Sequence, residues 1–529
     1  MISTEQVPRF SRCGTVVFTV TLSLAAVILL IRIPEFLYRL FDPDEFEHLH
    51  AAFCINNGMV PYRDFFEHHP PLFWIGLQPL YLFFDNPIRI LVAGRILMFF
   101  VTVGIALVTC QLSSLLYGRC VGVISVLLLI CIQMFIEKSM EIRPDGLETL
   151  FWLLFLQLGI RAIRSERGIV YFLFGICAGI SILFSQKVIP GIAGVFLAWR
   201  LWTIKPHKRR IPLAGSRIAL FSAGLLLPLV LTGILFLFFG AFGAFVHRCF
   251  LFNARWNIRI SPFPVCLEFV RQNPMVFALG LVGTLYLLWN YREAPENAVL
   301  LGSLAGAGSG ILLIPIMQRQ YLMLLFPLWA ILAAKWMADR VLYEKRKSSR
   351  IYDFLFAVLL AVSLAVSSTE NGRQFQNHLF ILLIFVAICA FSVLFLRIRE
   401  ALTVFIVMIL SLGPILKPLQ RNYVRNTAQK EYIRLICEET TSEDCVLDGW
   451  TGYAFFRPHA YYYFFLHPEI RAMLTQDELD KNVIEAIKRN KPKIIIYDSN
   501  LRSLPLSVNE HIRSHYRAMG LGDLYRRAD

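Results

Sequence analysis

Between residues 41 and 84 the chain gathers the groups that move protons and hold charge, in the stretch FDPDEFEHLHAAFCINNGMVPYRDFFEHHPPLFWIGLQPLYLFF. Asp42, Asp44, Glu45, Glu47, His48 and His50 fall within nine residues, and Arg63, Asp64, Glu67, His68 and His69 follow after Gly58. Carboxylates at this density can accept a proton from a hydroxyl; beside imidazoles they can also ligate a divalent ion.

The elements that must position these groups are legible in the same stretch. Asp42 suits an N-cap, Pro43 the first helical position, and Glu45 completes a capping box, so part of the acidity is a helix start. The helix carries Phe46, Leu49, Phe53 and Cys54 on one stripe, with Glu47, His48 and His50 off it, and Asn57-Gly58 ends it. The expectation is an amphipathic helix lying along a membrane surface, with Asp44 and Glu45 at the height of a lipid phosphate. PPLFWIGLQPLYLFF is short for a span and reads as a second surface-lying or re-entrant segment.

With 57% hydrophobic and 17% charged residues and a mean hydropathy of +0.58, the chain is a polytopic membrane protein rather than a soluble one. Its net charge of +15 does not indicate nucleic acid, because Lys and Arg sit in short clusters between apolar runs, as the positive-inside rule produces. The 11 cysteines form no CxxC pair, which argues against a zinc or haem site and for small buried hydrophobes. Cys249 with Cys266 and Cys437 with Cys445 are the spacings of interest; for the second pair, a disulfide and two free thiols are both open.

Arg9 and Arg12 precede an apolar run from about 14 to 31 that is too long for a signal sequence and lacks a small-residue cleavage site, so it reads as a retained helix with its N-terminus inside. Further runs lie near 89–110, 119–136, 147–163, 169–184, 188–203, 216–239, 274–290, 298–315, 322–338, 352–367, 378–396 and 401–416, giving roughly 11 to 13 spans. A start inside places Arg161, Arg164 and Arg167, the cluster Lys205 to Arg210, the cluster Lys345 to Arg350, and Arg397 with Arg399 on the cytoplasmic side. It places the outer loop 33–88, loop 137–146, loop 240–273 and the segment 318–321 outside. Ser185-Gln186-Lys187 is the weakest point, since one broken helix there would invert every later side. GAGSG at 306–310 lies inside a span and reads as close helix packing rather than a nucleotide loop. No internal repeat is evident. After residue 416 a charged tail alternates helix and strand patterns: TAQKEYIRLICEE and SVNEHIRSHYRAM as helices, CVLDGW and KPKIIIYDS as strands. The expected division is a transmembrane domain, 1–416, and a small exterior α/β domain, 417–529.

Ionisable groups at membrane depth are expensive and therefore default functional candidates. On the inferred outer face these are Asp44, Glu45, Glu67, His68, His69, Glu137, Lys138, Glu141, Arg143, Asp145, Lys187, Arg319 and Tyr321. The set holds both cations for a phosphate and carboxylates for a proton.

PDE at 43–45, FEHHPPL at 66–72, RPD at 143–145 and RQYLMLLFPL at 319–328 together resemble the C-type glycosyltransferase superfamily, closest to its dolichyl-phosphate-mannose protein mannosyltransferase and lipid A aminoarabinose transferase branch. In order and topology the resemblance covers nearly the whole chain, with the specific motifs concentrated in the first 190 residues. It implies an all-α polytopic fold with juxtamembrane helices in the first outer loop. The implied activity is inverting transfer of a sugar from a polyprenyl-phosphate carrier to an extracytoplasmic lipid, glycan or protein acceptor. The implied location is a bacterial inner membrane. By this resemblance Asp44 is the catalytic base, Glu45 its supporting carboxylate and Asp145 the second-loop acid. Arg143, Lys187, Arg319 and Tyr321 would face the substrate, Lys187 and Arg319 as phosphate-side cations. The aminoarabinose transferases carry FEKP where this chain has His68 and His69, so their phosphate contact does not carry over; both histidines remain substrate-side candidates. No cofactor is required, and a divalent metal on Asp44, Glu45 and the neighbouring histidines is an open possibility.

Two other classes fit the composition. A transporter or flippase of lipid-linked sugars would share the spans and buried charges, but the chain shows neither paired halves of similar hydropathy nor matched interrupted helices. A polysaccharide polymerase of the same superfamily would share the site and differ in acceptor.

Overall fold

The computed structural model describes residues 12–165, 167–203, 215–256, 258–291, 294–341, 424–520 and 522–528. The expected spans at 352–367, 378–396 and 401–416, the basic clusters at 205–210, 345–350 and 397–399, and the 416/417 boundary lie outside them. Each of the other ten expected spans is a helix among the described residues: Arg12–Ile31, Pro87–Tyr117, Arg119–Cys131, Pro144–Arg164, Gly168–Phe184, Ile189–Thr203, Gly215–Phe238, Pro274–Trp289, Pro295–Leu313 and Phe326–Val341.

Length and composition pass fewer of them as crossings. Five described helices are long and apolar enough to span, or up to seven if each of two bent pairs counts as one. The other five described helices are shorter than 18 residues, and two of them belong to bent pairs. The run at 119–136 breaks at Ile132 and turns by 78°, and the Phe263–Gln272 helix meets Pro274–Trp289 at 109°. The two bends are joined, since the Gln133 backbone N–H donates to Asn273 Oδ1 at 3.1 Å. Ser185-Gln186-Lys187 also breaks the chain: Gly168–Phe184 ends there, a 3-10 turn follows at Gln186–Val188, and Ile189–Thr203 begins. The two helices take different neighbours, Gly215–Phe238 for the first and Pro295–Leu313 for the second. The second packing explains GAGSG, because a side chain on Gly306 would run into the facing backbone at Pro190 and Gly194.

The helix from Pro43 to Asn56 is capped as its sequence requires. Asp42 accepts from the Asp44 N–H and Glu45 closes the box, and Gly58 terminates the helix at φ +80°. The polar face of this helix is not open to water: Glu47, His48 and His50 are buried along with Phe46 and Leu49. The polar face meets protein that is remote in sequence. Trp74 Nε1–H donates to His48 Nδ1 at 3.1 Å, and His50 Nδ1–H donates to the Phe455 carbonyl at 3.0 Å.

The cover over His50 comes from the C-terminal region. Its sheet has the order β1-β2-β4-β3, with β1 Val446–Asp448, β2 Ile494–Ile496, β3 Tyr516–Ala518 and β4 Leu524–Arg527. β1 and β2 are parallel, in register Leu447 to Ile495, and the remaining pairs are antiparallel. Thr427–Glu439 and Leu506–His515 are helices; the last four residues of the expected helix SVNEHIRSHYRAM are lost, with Tyr516–Ala518 pairing as strand. The docking is specific. Gln429 both accepts from the Phe41 N–H (2.7 Å) and donates to the Phe41 carbonyl (2.9 Å), and the Phe66 N–H donates to the Tyr462 carbonyl at 2.9 Å. Cys437, Cys445, Cys249 and Cys266 are all free thiols, so neither spacing forms a disulfide.

A candidate active-site cavity

Under the C-terminal cover lies a cavity of about 480 Å³, lined from the Pro43–Asn56 helix, the 138–145 loop, the Ser185 to Lys187 break, the 314–321 segment and the cover itself. Asp44, His68, His69, Arg143, Asp145, Lys187 and Tyr321 all line it. Residues from five stretches of sequence thus meet at one place.

The helix start aims two neighbouring carboxylates in different directions. Glu45 is fully buried and held by Arg95 through Nη2 to Oε1 at 2.6 Å and Nε to Oε2 at 2.9 Å; it also accepts from the Asp42 and Ile142 backbone N–H groups. Arg95 itself donates to the carbonyls of Phe36, Arg39 and Leu40. Every oxygen of Glu45 is occupied, so it ties the helix to the Pro87–Tyr117 span and to the 142 loop. Asp44 keeps 26% of its side chain accessible on the cavity side and meets Arg143 Nη1 at 2.5 Å. A free carboxylate face in the cavity belongs to Asp44 and not to Glu45.

Cations and acids alternate along the opposite wall. Arg143 precedes the Pro144–Arg164 helix and also reaches Asp42 at 3.4 Å and Asp145 at 3.5 Å. Lys187 Nζ lies 2.9 Å from Asp145 Oδ1 and 3.8 Å from the centre of the Tyr321 ring. The 78° bend carries Lys138 over the site, where it pairs with Glu141 at 2.8 Å and Asp42 at 3.6 Å. Burial opposes the charge on Asp42, but Arg143 and Lys138 outweigh it and hold the carboxyl below its usual range. Arg319 stands outside the cavity lining: its side chain is 47% exposed and pairs with Glu268 at 2.7 Å.

A second cluster borders the same cavity. Glu47, Glu67, His68 and His69 bring one potential ligand atom each within 4.8 Å of one another. The metal set weighed from sequence, with Asp44 and Glu45 as ligands, is not the one that assembles, because Glu45 is taken by Arg95. Tyr62 fixes the loop, adopting φ 68° and donating its hydroxyl to the His69 carbonyl at 2.6 Å. Burial and the adjacent Glu67 push the Glu47 carboxyl up to about 8, and burial raises Glu67 as well.

Several contributors went unread in the sequence. Arg95 had a signal, being a charge inside the apolar run 89–110. Trp450, His467 and Glu469 complete the cavity from the cover, with His467 Nδ1 2.7 Å from Glu469 Oε2, and nothing local in the sequence distinguished them.

The fold is shared with solved structures. Over 91% of this chain and 92% of the other, the structure is similar to apo ArnT from Cupriavidus metallidurans, with a TM-score of 0.60 at 14% identity. It is also similar to the same protein bound to undecaprenyl phosphate, with TM-score 0.57, 14% identity and 88% of each chain covered. The apo Archaeoglobus fulgidus oligosaccharyltransferase is similar at TM-score 0.52 and 11% identity, over 91% of this chain and 69% of that one. At these identities the likeness establishes the fold. Residues 68–235 match the family described as dolichyl-phosphate-mannose-protein mannosyltransferase; no curated protein sequence matches the chain. The chain is a multi-pass membrane protein that shares its fold with these structures, and its residues 68–235 resemble the mannosyltransferase family.

Proposed function

We propose that the cavity transfers a sugar from a polyprenyl-phosphate carrier to a hydroxyl-bearing acceptor on the extracytoplasmic face, with inversion. The observation that carries this is the convergence of an accessible carboxylate, Asp44, with Arg143 and Lys187 in one cavity. Undecaprenyl phosphate bound to the similar ArnT structure supports a lipid carrier as the donor. Asp44 takes the proton of the acceptor hydroxyl, and the resulting oxygen attacks the anomeric carbon from the face opposite the carrier. The carbon–oxygen bond to the phosphate breaks, and polyprenyl phosphate leaves with the electron pair. Arg143 and Lys187 stabilise the charge on the departing phosphate. His68, His69 and Tyr321 shape the donor side, Asp145 holds Lys187 in place, and Glu45 positions the helix that carries Asp44.

The test is sugar transfer by the purified chain in nanodiscs from synthetic polyprenyl-phosphate sugars, with donor and acceptor classes first narrowed by mass spectrometry of envelope glycans and lipids with and without the protein. Transfer with an inverted anomeric centre is expected. Movement of the lipid-linked sugar across a sealed membrane without transfer would assign a flippase instead. The side is read separately: cysteines introduced at the exposed positions Asn57 and Asp477 should both react with an impermeant thiol reagent from outside.

A further inference from the structure

We infer that Glu47, Glu67, His68 and His69 form a binding site for one divalent transition-metal ion, of the zinc or manganese class, in the wall of the cavity. The first ground is geometry. His69 Nδ1 lies 3.3 Å from Glu67 Oε2 and 3.5 Å from Glu47 Oε1, and four ligand atoms share a region 4.8 Å across. Ligands about 2.0–2.2 Å from a tetrahedral centre stand roughly 3.3–3.6 Å apart, so the two separations from His69 are those of ligands sharing an ion, and a small side-chain adjustment would bring the four together.

The second ground is unmet bonding. Glu67 Oε1 and His68 Nδ1 are buried with no hydrogen-bond partner, and Glu47 Oε1 has nothing closer than His69. Both glutamates are buried. Two neighbouring buried carboxylates, each with an unpaired oxygen, are costly unless a cation joins them. The remaining bonds are those of an outer shell: Glu67 Oε2 accepts from the His68 backbone N–H, and Tyr62 fixes the His69 main chain. Two carboxylate oxygens and two imidazole nitrogens suit zinc or manganese better than calcium or magnesium.

The position gives the ion a definite role. Glu47 follows Asp44 by one helical turn, whereas Glu67 to His69 belong to the loop on the other side of Gly58. The ion cross-links that loop to the helix carrying Asp44 and sets positive charge into the wall beside it. The proposal does not depend on the transfer reaction, since metal binding is read without turnover.

Purified full-length protein is stripped with a chelator, dialysed, and titrated with Zn²⁺ or Mn²⁺ in detergent while metal content and melting temperature are recorded. His511 and His515 lie together on the surface, with ring centroids 4.2 Å apart, so the measurement is made in an H511Q/H515Q background to remove their contribution. One equivalent retained per chain, with a melting temperature raised by several degrees, is expected; Glu67→Gln and His68→Gln should lose both. No retained equivalent in the stripped and reloaded protein, or unchanged binding in both variants, overturns the site. Should the variants fail to fold, X-ray absorption on the zinc-loaded protein decides: a first shell of two imidazoles and two oxygens supports the site, and a sulfur-containing or all-oxygen shell overturns it.

Discussion

Arg143 Nη1 stands 2.5 Å from Asp44 Oδ2, and the guanidinium is itself held between Asp42 and Asp145. The pair leaves Asp44 oriented from one side and accessible from the other. Asp44→Asn preserves size, leaves the Asp42 cap untouched, and should lower the transfer rate by about 10²–10⁴ with donor binding little changed. The measurement is single-turnover transfer alongside donor binding; full activity in a folded variant removes Asp44 as the base.

Glu45 and Arg95 predict a different phenotype. Arg95→Met leaves a buried carboxylate without its partner and should cost about 3–5 kcal/mol of stability, seen as a lower melting temperature in detergent. Asp44→Asn should leave the melting temperature nearly unchanged. If Arg95→Met kept its stability and lost only activity, Glu45 would belong to the reacting groups rather than to the scaffold.

Lys187 and Arg319 separate by location. Lys187→Met removes a cavity cation and should weaken carrier binding by tenfold or more, as expected for a charge-assisted contact worth about 1.5–3 kcal/mol. Arg319→Ala removes an exposed ion pair with Glu268, worth about 0–1 kcal/mol, and should change binding by less than about threefold. Equal losses in the two variants would put the carrier phosphate at the mouth of the cavity instead of beneath it.

Acid should loosen the cover. Burial pushes His50 down to about 3 and His459 to about 4 from an ordinary 6.5, with the two rings 6.2 Å apart. The unfolded chain takes up these protons as pH falls below 6.5 while the folded chain does not, so their contribution is complete above that value and is lost progressively toward pH 3. Glu47, raised to about 8, acts in the opposite sense as pH rises from its ordinary 4.5, so the informative quantity is a difference. The melting temperature of wild type should fall more steeply than that of His50→Gln between pH 6.5 and 4.5; parallel curves would refute the assignment.

The sequence revealed what is local. Asp42, Pro43 and Glu45 announce a helix start because capping is decided within one turn, and the apolar runs announce helices because periodicity needs no partner. CVLDGW and KPKIIIYDS read as strands for the same reason. The burial of His50 could not be read, since Phe455, whose carbonyl it bonds, and Phe464, whose ring stacks on it, lie about 400 residues away, and a polar helix face looks the same whether water or protein covers it. Arg319 shows the converse: its place in a motif gave its neighbourhood, while its side-chain direction depended on Glu268. The pairing of Glu45 with Arg95 needed a loop helix to be set against a span, which hydropathy does not encode.

Tyr462 donates its hydroxyl to the Tyr62 carbonyl across a separation of 400 residues. A ribosome adds about 5–20 residues per second, so this contact waits on the order of 20–80 s after Tyr62 is made. Through that interval the nascent chain displays the acidic helix with His50 still bare. Synthesis therefore delivers the floor of the cavity long before its lid, and a chain stopped early would be inserted and helical yet unable to enclose a substrate.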